Sequence, residues 1–164
     1  MFFRRSERKP TPVERLRQLI RTHLPDADED THEIVFALAG LLACVAYADR
    51  EFDAAEQLRA CEALNNIPGL TAGGVAAICA ALREHVGEIA SVNPQAYTRA
   101  LRERTQIEVR REVLDVLVDL GAADGTLSLA ETDLLRRTTS ALGLSPDEYL
   151  VSQARHRDKL GLLR

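Results

Sequence analysis

The chain has no tryptophan, a single methionine and only 4% aromatic residues across 164 positions. Ala, Leu and Val make up most of its apolar share, a mixture that suits closely packed helices better than strands. No segment alternates apolar and polar residues over a strand length, which argues against a sheet. Cysteines are scarce: Cys44, Cys61 and Cys79 form neither a CxxC pair nor an even set. Cys44 and Cys61 fall on apolar helical faces, where a thiol behaves as a small core residue, so free thiols, no disulfide and a reducing compartment are expected. The longest uncharged run, Ile34 to Ala48, is short of the roughly 18–20 residues that a bilayer span needs and reads as a buried helix. Pro10, Pro12 and Glu14 stand where an export signal would have its apolar core, so a cytoplasmic protein is expected.

Chemical signatures are missing as well. His23, His32, His85 and His156 are far apart, without an HExxH motif or a Cys/His pairing, which excludes a zinc site. Gly73-Gly74 follows no strand and makes no phosphate loop, and no serine or cysteine sits in a nucleophile elbow. An enzyme is not expected. The net charge of −4 and pI near 5.6 leave no broad basic face to compete for phosphate backbones, which excludes nucleic acid as a main partner. One stretch departs from this: Arg4, Arg5, Arg8 and Lys9 stand beside Phe2 and Phe3. Residues 2–9 are either a solvated tail or a peripheral contact with an anionic membrane surface. Residues 1–10 are therefore set apart as a flexible basic tail, and 11–164 as one helical domain.

Within that domain the pattern is helical throughout. Thr11-Pro12 opens a first helix carrying Val13, Leu16, Leu19 and Ile20, and His23-Leu24-Pro25 ends it. Asp26 to Asp30 reads as a surface loop, with Thr31 capping a second helix to about Ala48 that is apolar nearly all round and hence central. Asp53 starts a third helix, Thr71 to about Val86 forms a fourth, and Asn93-Pro94 begins a short amphipathic fifth. A long helix follows from about Gln106 to Ala123, then one from Ser128 to Leu142, and Ser145-Pro146-Asp147-Glu148 opens the last. The expected fold is all-α, a compact bundle of about seven to eight helices.

Two parts of this series repeat. Shifting the sequence by 75 positions lays Ala46 to Glu56 over Gly121 to Glu131, so that Ala48 meets Ala123, Asp49 meets Asp124, Phe52 meets Leu127, Asp53 meets Ser128 and Glu56 meets Glu131. Upstream, Leu38 meets Val113, Leu41 meets Val116 and Val45 meets Leu120. One unit, an apolar helix followed by an acidic turn and a capped amphipathic helix, thus occurs twice. Two such hairpins bury their apolar sides by packing on each other.

The second copy, Ala123-Asp124-Gly125-x-Leu127-Ser128-x-x-Glu131 followed by Leu142-Gly143-Leu144-Ser145, resembles the signature of the TerB tellurite-resistance family and of the related TerB-like region of the DjlA membrane co-chaperone. The likeness is good for Val113 to Tyr149 and looser for Thr31 to Leu64, where Arg50-Glu51 replaces the usual Asp-Gly step. The His-Pro-Asp tripeptide and membrane span of that co-chaperone do not occur in this sequence, so its co-chaperone activity is not carried over. The resemblance implies a non-catalytic module of tellurite or metal stress response with a metal site at the acidic positions.

Asp49, Asp53 and Glu56 in the first turn and Asp124 and Glu131 in the second place carboxylates at both hairpin tips. If the tips meet, the carboxylates repel one another, and either their pKa values rise or a cation is recruited. An all-oxygen site prefers a hard divalent ion such as Ca²⁺, Mg²⁺ or Mn²⁺. The spacing is not that of an EF-hand. The competing account needs no ion: Asp53-x-x-Glu56 and Ser128-x-x-Glu131 are helix-start boxes, and Asp49 and Asp124 suit a turn before a helix. Two functions follow. One is a cation-binding TerB-like module with a protein partner; the other is a metal-independent helical adaptor in a membrane-associated complex.

Overall fold

Helix α2, Glu29–Tyr47, is the element around which the others are arranged in a computed structural model that describes the backbone of residues 7–161 and the side chains of residues 7–156. Its 18-residue apolar window, with a mean hydropathy of 1.3, would satisfy a membrane span by composition. Its surroundings decide otherwise: Val35 to Ala46 are almost continuously buried, and α2 packs on α1 (Pro12–His23), α3 (Ala54–Asn65), α4 (Ala72–Ser91), α5 (Pro94–Arg104), α6 (Ile107–Gly121) and α7 (Leu129–Ala141). Helix α8, Pro146–Gly161, closes the far side against α6 and α7. One apolar core runs from Leu16 to Tyr149. The described residues form eight helices and no strand, as the periodicity predicts.

Caps fix most of the starts. In α1, Thr11 Oγ1 accepts from Glu14 N at 3.1 Å while Glu14 accepts from Thr11 N at 3.0 Å, a complete capping box ahead of Pro12. Helix α2 begins three residues earlier than a Thr31 cap predicts, because Asp28 is the cap and accepts from Thr31 N at 2.8 Å. Glu29 and Asp30 then lie in the first turn, where negative charge faces the positive helix end. Helix α4 continues past Val86 to Ser91, with non-helical backbone at His85 (φ −131°), because burial of Ile89 holds its last turn in the core.

The cysteines also depart from expectation. Cys61 on α3 and Cys79 on α4 are joined by a disulfide, with Cα atoms 6.0 Å apart. Adjacent helices bring the pair within bridging range without any sequence motif, so these two cysteines are not the free thiols that their spacing suggests. Cys44 alone is free, and it is buried. The basic tail falls largely on residues 1–6, outside the described residues.

Helix α5 is locked to α2 by one aromatic side chain. The Tyr97 ring meets Phe36 edge-on at 5.4 Å, and its hydroxyl donates to Ile89 O at 2.6 Å. A Cβ at Gly40 would lie 2.4 Å from that ring, so only glycine lets α2 and Tyr97 approach so closely.

Candidate metal centre

The duplicated hairpin is visible as a duplicated set of hydrogen bonds. In the first elbow Ala48 N donates to Val45 O at 3.2 Å, Arg50 N to Tyr47 O at 2.9 Å and Glu51 N to Asp49 Oδ1 at 3.1 Å. In the second, 75 positions on, Ala123 N donates to Leu120 O at 3.1 Å, Gly125 N to Ala122 O at 2.9 Å and Thr126 N to Asp124 Oδ1 at 3.0 Å. Both elbows need one left-handed residue at the same register position, filled by Gly125 at φ 96° and by Arg50 at φ 65°. A left-handed conformation costs a side-chain-bearing residue roughly 1–2 kcal/mol. Arg50→Gly is therefore expected to stabilise the fold by about 0.5–1 kcal/mol, after glycine's extra chain entropy is offset, as measured by denaturant midpoint.

The elbows are neighbours in space. Asp49 from the first, Glu56 from the start of α3 and Glu131 from the start of α7 each offer a carboxylate oxygen, and these three oxygens lie within 4.8 Å of one another. Asp49 is exposed, whereas Glu56 and Glu131 are each only 2% exposed. Their placement follows from helix geometry. Each glutamate is the third residue of its helix, directed back toward the N-terminus, so the positive ends of α3 and α7 both face the cluster.

Capping accounts for only part of this arrangement. Glu131 completes its box, accepting from Ser128 N at 3.1 Å through Oε1, while Ser128 Oγ accepts from Glu131 N at 3.1 Å. Its other oxygen, Oε2, is buried and accepts no hydrogen bond from the described residues. In the first hairpin the box is half-built: Glu56 N donates to Asp53 Oδ1 at 2.8 Å, but the Glu56 side chain does not return to the Asp53 amide, and Glu56 Oε2 is likewise buried and unpartnered. No described Lys, Arg or His forms an ion pair with Asp49, Asp53, Glu56, Asp124 or Glu131.

The electrostatic consequence is large. Burial, reinforced by Asp53, Asp49, Glu131 and Asp124, pushes the Glu56 carboxyl up to about 8. Burial also raises Glu131, against the hydrogen bonds from Ser128 that favour its charged form, with Asp49 and Asp124 adding to the rise. A buried carboxyl group at neutral pH either keeps its proton or finds a positive partner.

Of the five carboxylates expected at the tips, the structure brings Asp49, Glu56 and Glu131 to one point. Asp53 serves as the cap of α3, and Asp124 closes its own turn onto Thr126. Both act on the cluster through their charge. One contributor is not apparent from charge patterning: a Cβ on Gly121 would lie 2.8 Å from Leu127 Cδ2 and 3.2 Å from Glu131 Oε2. The bare backbone of α6 is what lets the Glu131 carboxylate lie against it. A hint is present in the repeat, where Gly121 stands over the equally buried Ala46.

A family model described as tellurite resistance protein TerB matches residues 35–154, a span that contains both elbows and every carboxylate of the cluster. No curated protein and no solved structure matches the chain.

Proposed function

The chain belongs to the tellurite resistance protein TerB family, and on that footing we propose that it is a non-catalytic module of a metal or oxyanion stress response. In this reading it takes up one hard divalent cation between its acidic elbows and conveys that binding to a protein partner. The observation that carries the cation is the pair of buried, unpartnered oxygens, Glu56 Oε2 and Glu131 Oε2, beside the Asp49 carboxylate. The donor set is all oxygen, which favours Ca²⁺, Mg²⁺ or Mn²⁺ over softer ions. The three oxygens lie within 4.8 Å of one another, close enough to share one ion. Calcium, which accepts irregular oxygen geometry where Mg²⁺ demands a near-ideal octahedron, suits a site of one exposed and two buried carboxylates.

Support for a partner is simpler: Leu58 on α3 and Leu129 at the first position of α7 are 60% and 79% exposed on the helices that supply Glu56 and Glu131. An ion-independent adaptor would use the same leucines and keep its partner in chelator.

Thermal melts in Ca²⁺, Mg²⁺, Mn²⁺ and Zn²⁺ test the cation. At a hundredfold excess over Kd, binding to the folded state contributes about 2.7 kcal/mol, which for a chain of this size is a rise of roughly 5–10 °C. Calcium is expected to give this rise in the wild type and to lose most of it in Asp49→Asn. Melting temperatures unmoved by all four ions would remove the cation from the account.

A further inference from the structure

We propose that the Cys61–Cys79 disulfide is a thiol-exchangeable tether that sets the cation affinity of the acidic cluster by holding α3 against α4. The proposal rests on the cation reading above and adds its regulation. The start of α3 carries its cap Asp53 and Glu56, and Cys61 lies five residues beyond Glu56 on the same helix. Its own grip on the core is slight: Ala60 and Leu64 are its only fully buried apolar residues, and Leu58 faces solvent. Its N-terminal turn also carries a carboxyl group packed against Asp49 and Glu131, and any ionisation there without a cation pushes that turn outward.

The tether opposes that outward force. With Cα atoms 6.0 Å apart, it joins α3 near its middle to α4, which is anchored by Ile78, Leu82 and Ile89 in the core. While it is intact, the three carboxylates are held together before a cation arrives, and little ordering remains to be done on binding. When it is cut, α3 keeps its few buried apolar contacts and a half-exposed ion pair from Arg59 to Asp119 of α6, and each binding event must first draw the turn back.

The exchange chemistry needs only a small thiol such as glutathione. A glutathione thiolate attacks Sγ of Cys61, which is less buried than Cys79. The protein S–S bond breaks, Cys79 leaves as a thiolate and takes a proton from solvent. A second glutathione thiolate attacks the glutathione sulfur of the mixed disulfide, releasing Cys61, which is protonated in turn, and oxidised glutathione. Two electrons pass from two glutathiones to the protein. Cys44 takes no part, because burial pushes its thiol up to about 12 and leaves almost no thiolate at neutral pH.

Three measurements on the full chain test this. Calcium titration of oxidised protein, glutathione-reduced protein and Cys61→Ser/Cys79→Ser is expected to show affinity at least about fivefold weaker in the last two. By reciprocity, saturating calcium must displace the glutathione ratio at which Cys61 and Cys79 are half-reduced by the same factor, read by maleimide labelling and mass. Amide exchange over residues 54–60 in the absence of cation is expected to quicken about tenfold on reduction, which reads the tether apart from the ion. Equal calcium affinity in both redox states, or failure of Cys61 and Cys79 to pair at any glutathione ratio, would overturn the proposal. No calcium binding in either state, together with redox-dependent exchange in α3, would overturn the cation reading and support the tether's hold on α3.

Discussion

Raising the pH of the cation-free protein from about 5 to about 9 is expected to lower its melting temperature, and saturating calcium is expected to abolish most of that loss. The cause is Glu56, whose carboxyl is raised from an ordinary 4.5 to about 8 by burial and by Asp53, Asp49, Glu131 and Asp124. Because the folded chain holds this proton more tightly than the unfolded chain, the associated stability is complete below pH 4.5. It is lost progressively as pH rises toward 8, at a slope of at most about 1.4 kcal/mol per pH unit for one proton. Glu131, also raised, acts in the same direction. Glu14, Asp28 and Glu148 are shifted downward by their hydrogen bonds, and their stabilisation is lost only as pH falls below the usual carboxylate range. Between these limits the cluster dominates. A bound cation takes the place of the Glu56 proton, so calcium affinity should rise with pH over the same interval, with proton release detectable by calorimetry in buffers of different ionisation enthalpy. Glu56→Gln, which keeps the shape and removes the ionisation, should flatten the melting profile and lose calcium together. A wild-type profile as flat as that of the variant would contradict the assignment.

The largest loss of stability is expected at a residue with no part in the cluster. Tyr97→Ala removes the ring that meets Phe36 and fills the space opposite Gly40, and it frees Ile89 O of its hydrogen bond. Removing a buried aromatic side chain typically costs about 3–5 kcal/mol. Tyr97→Phe keeps the ring and should cost about 1 kcal/mol for the hydroxyl. Gly40 lies nine residues before Asp49, roughly 13 Å along the α2 axis, so calcium affinity per folded molecule should be unchanged in both variants. Chemical denaturation with and without calcium separates the two effects. A Tyr97→Ala protein that folds normally but no longer binds calcium would show that α5, and not the elbows alone, shapes the site.

The elbows are legible in the sequence for a local reason. A turn that reverses an apolar helix into a capped one needs an Asx residue, a left-handed residue and an N-cap in fixed order, and these recur as Asp49, Arg50 and Asp53 and as Asp124, Gly125 and Ser128. The helices are legible because their apolar spacing is strong. What is not legible depends on how the helices meet. Glu56 and Glu131 have identical credentials as capping residues, and only the packing of α3 and α7 on α6 reveals that Glu56 leaves its box unfinished and that both keep a buried oxygen in reserve. The proximity of Cys61 to Cys79 is equally tertiary, with no trace in their spacing. The early start of α2 is a closer miss, since Asp28 and Thr31 are both good caps and the choice rests on which amide is reached.

Carboxylates from two separate hairpins are expected to hold one ion between them. A double-mutant cycle in calcium affinity measures this directly, using Asp49→Asn from the first elbow and Glu131→Gln from the second hairpin. A shared ion predicts one calcium per chain in the wild type, affinity lost by at least about a hundredfold in either single variant, and little further loss when the two are combined. Full calcium affinity in either variant, or losses that simply add as from two independent sites, would contradict it.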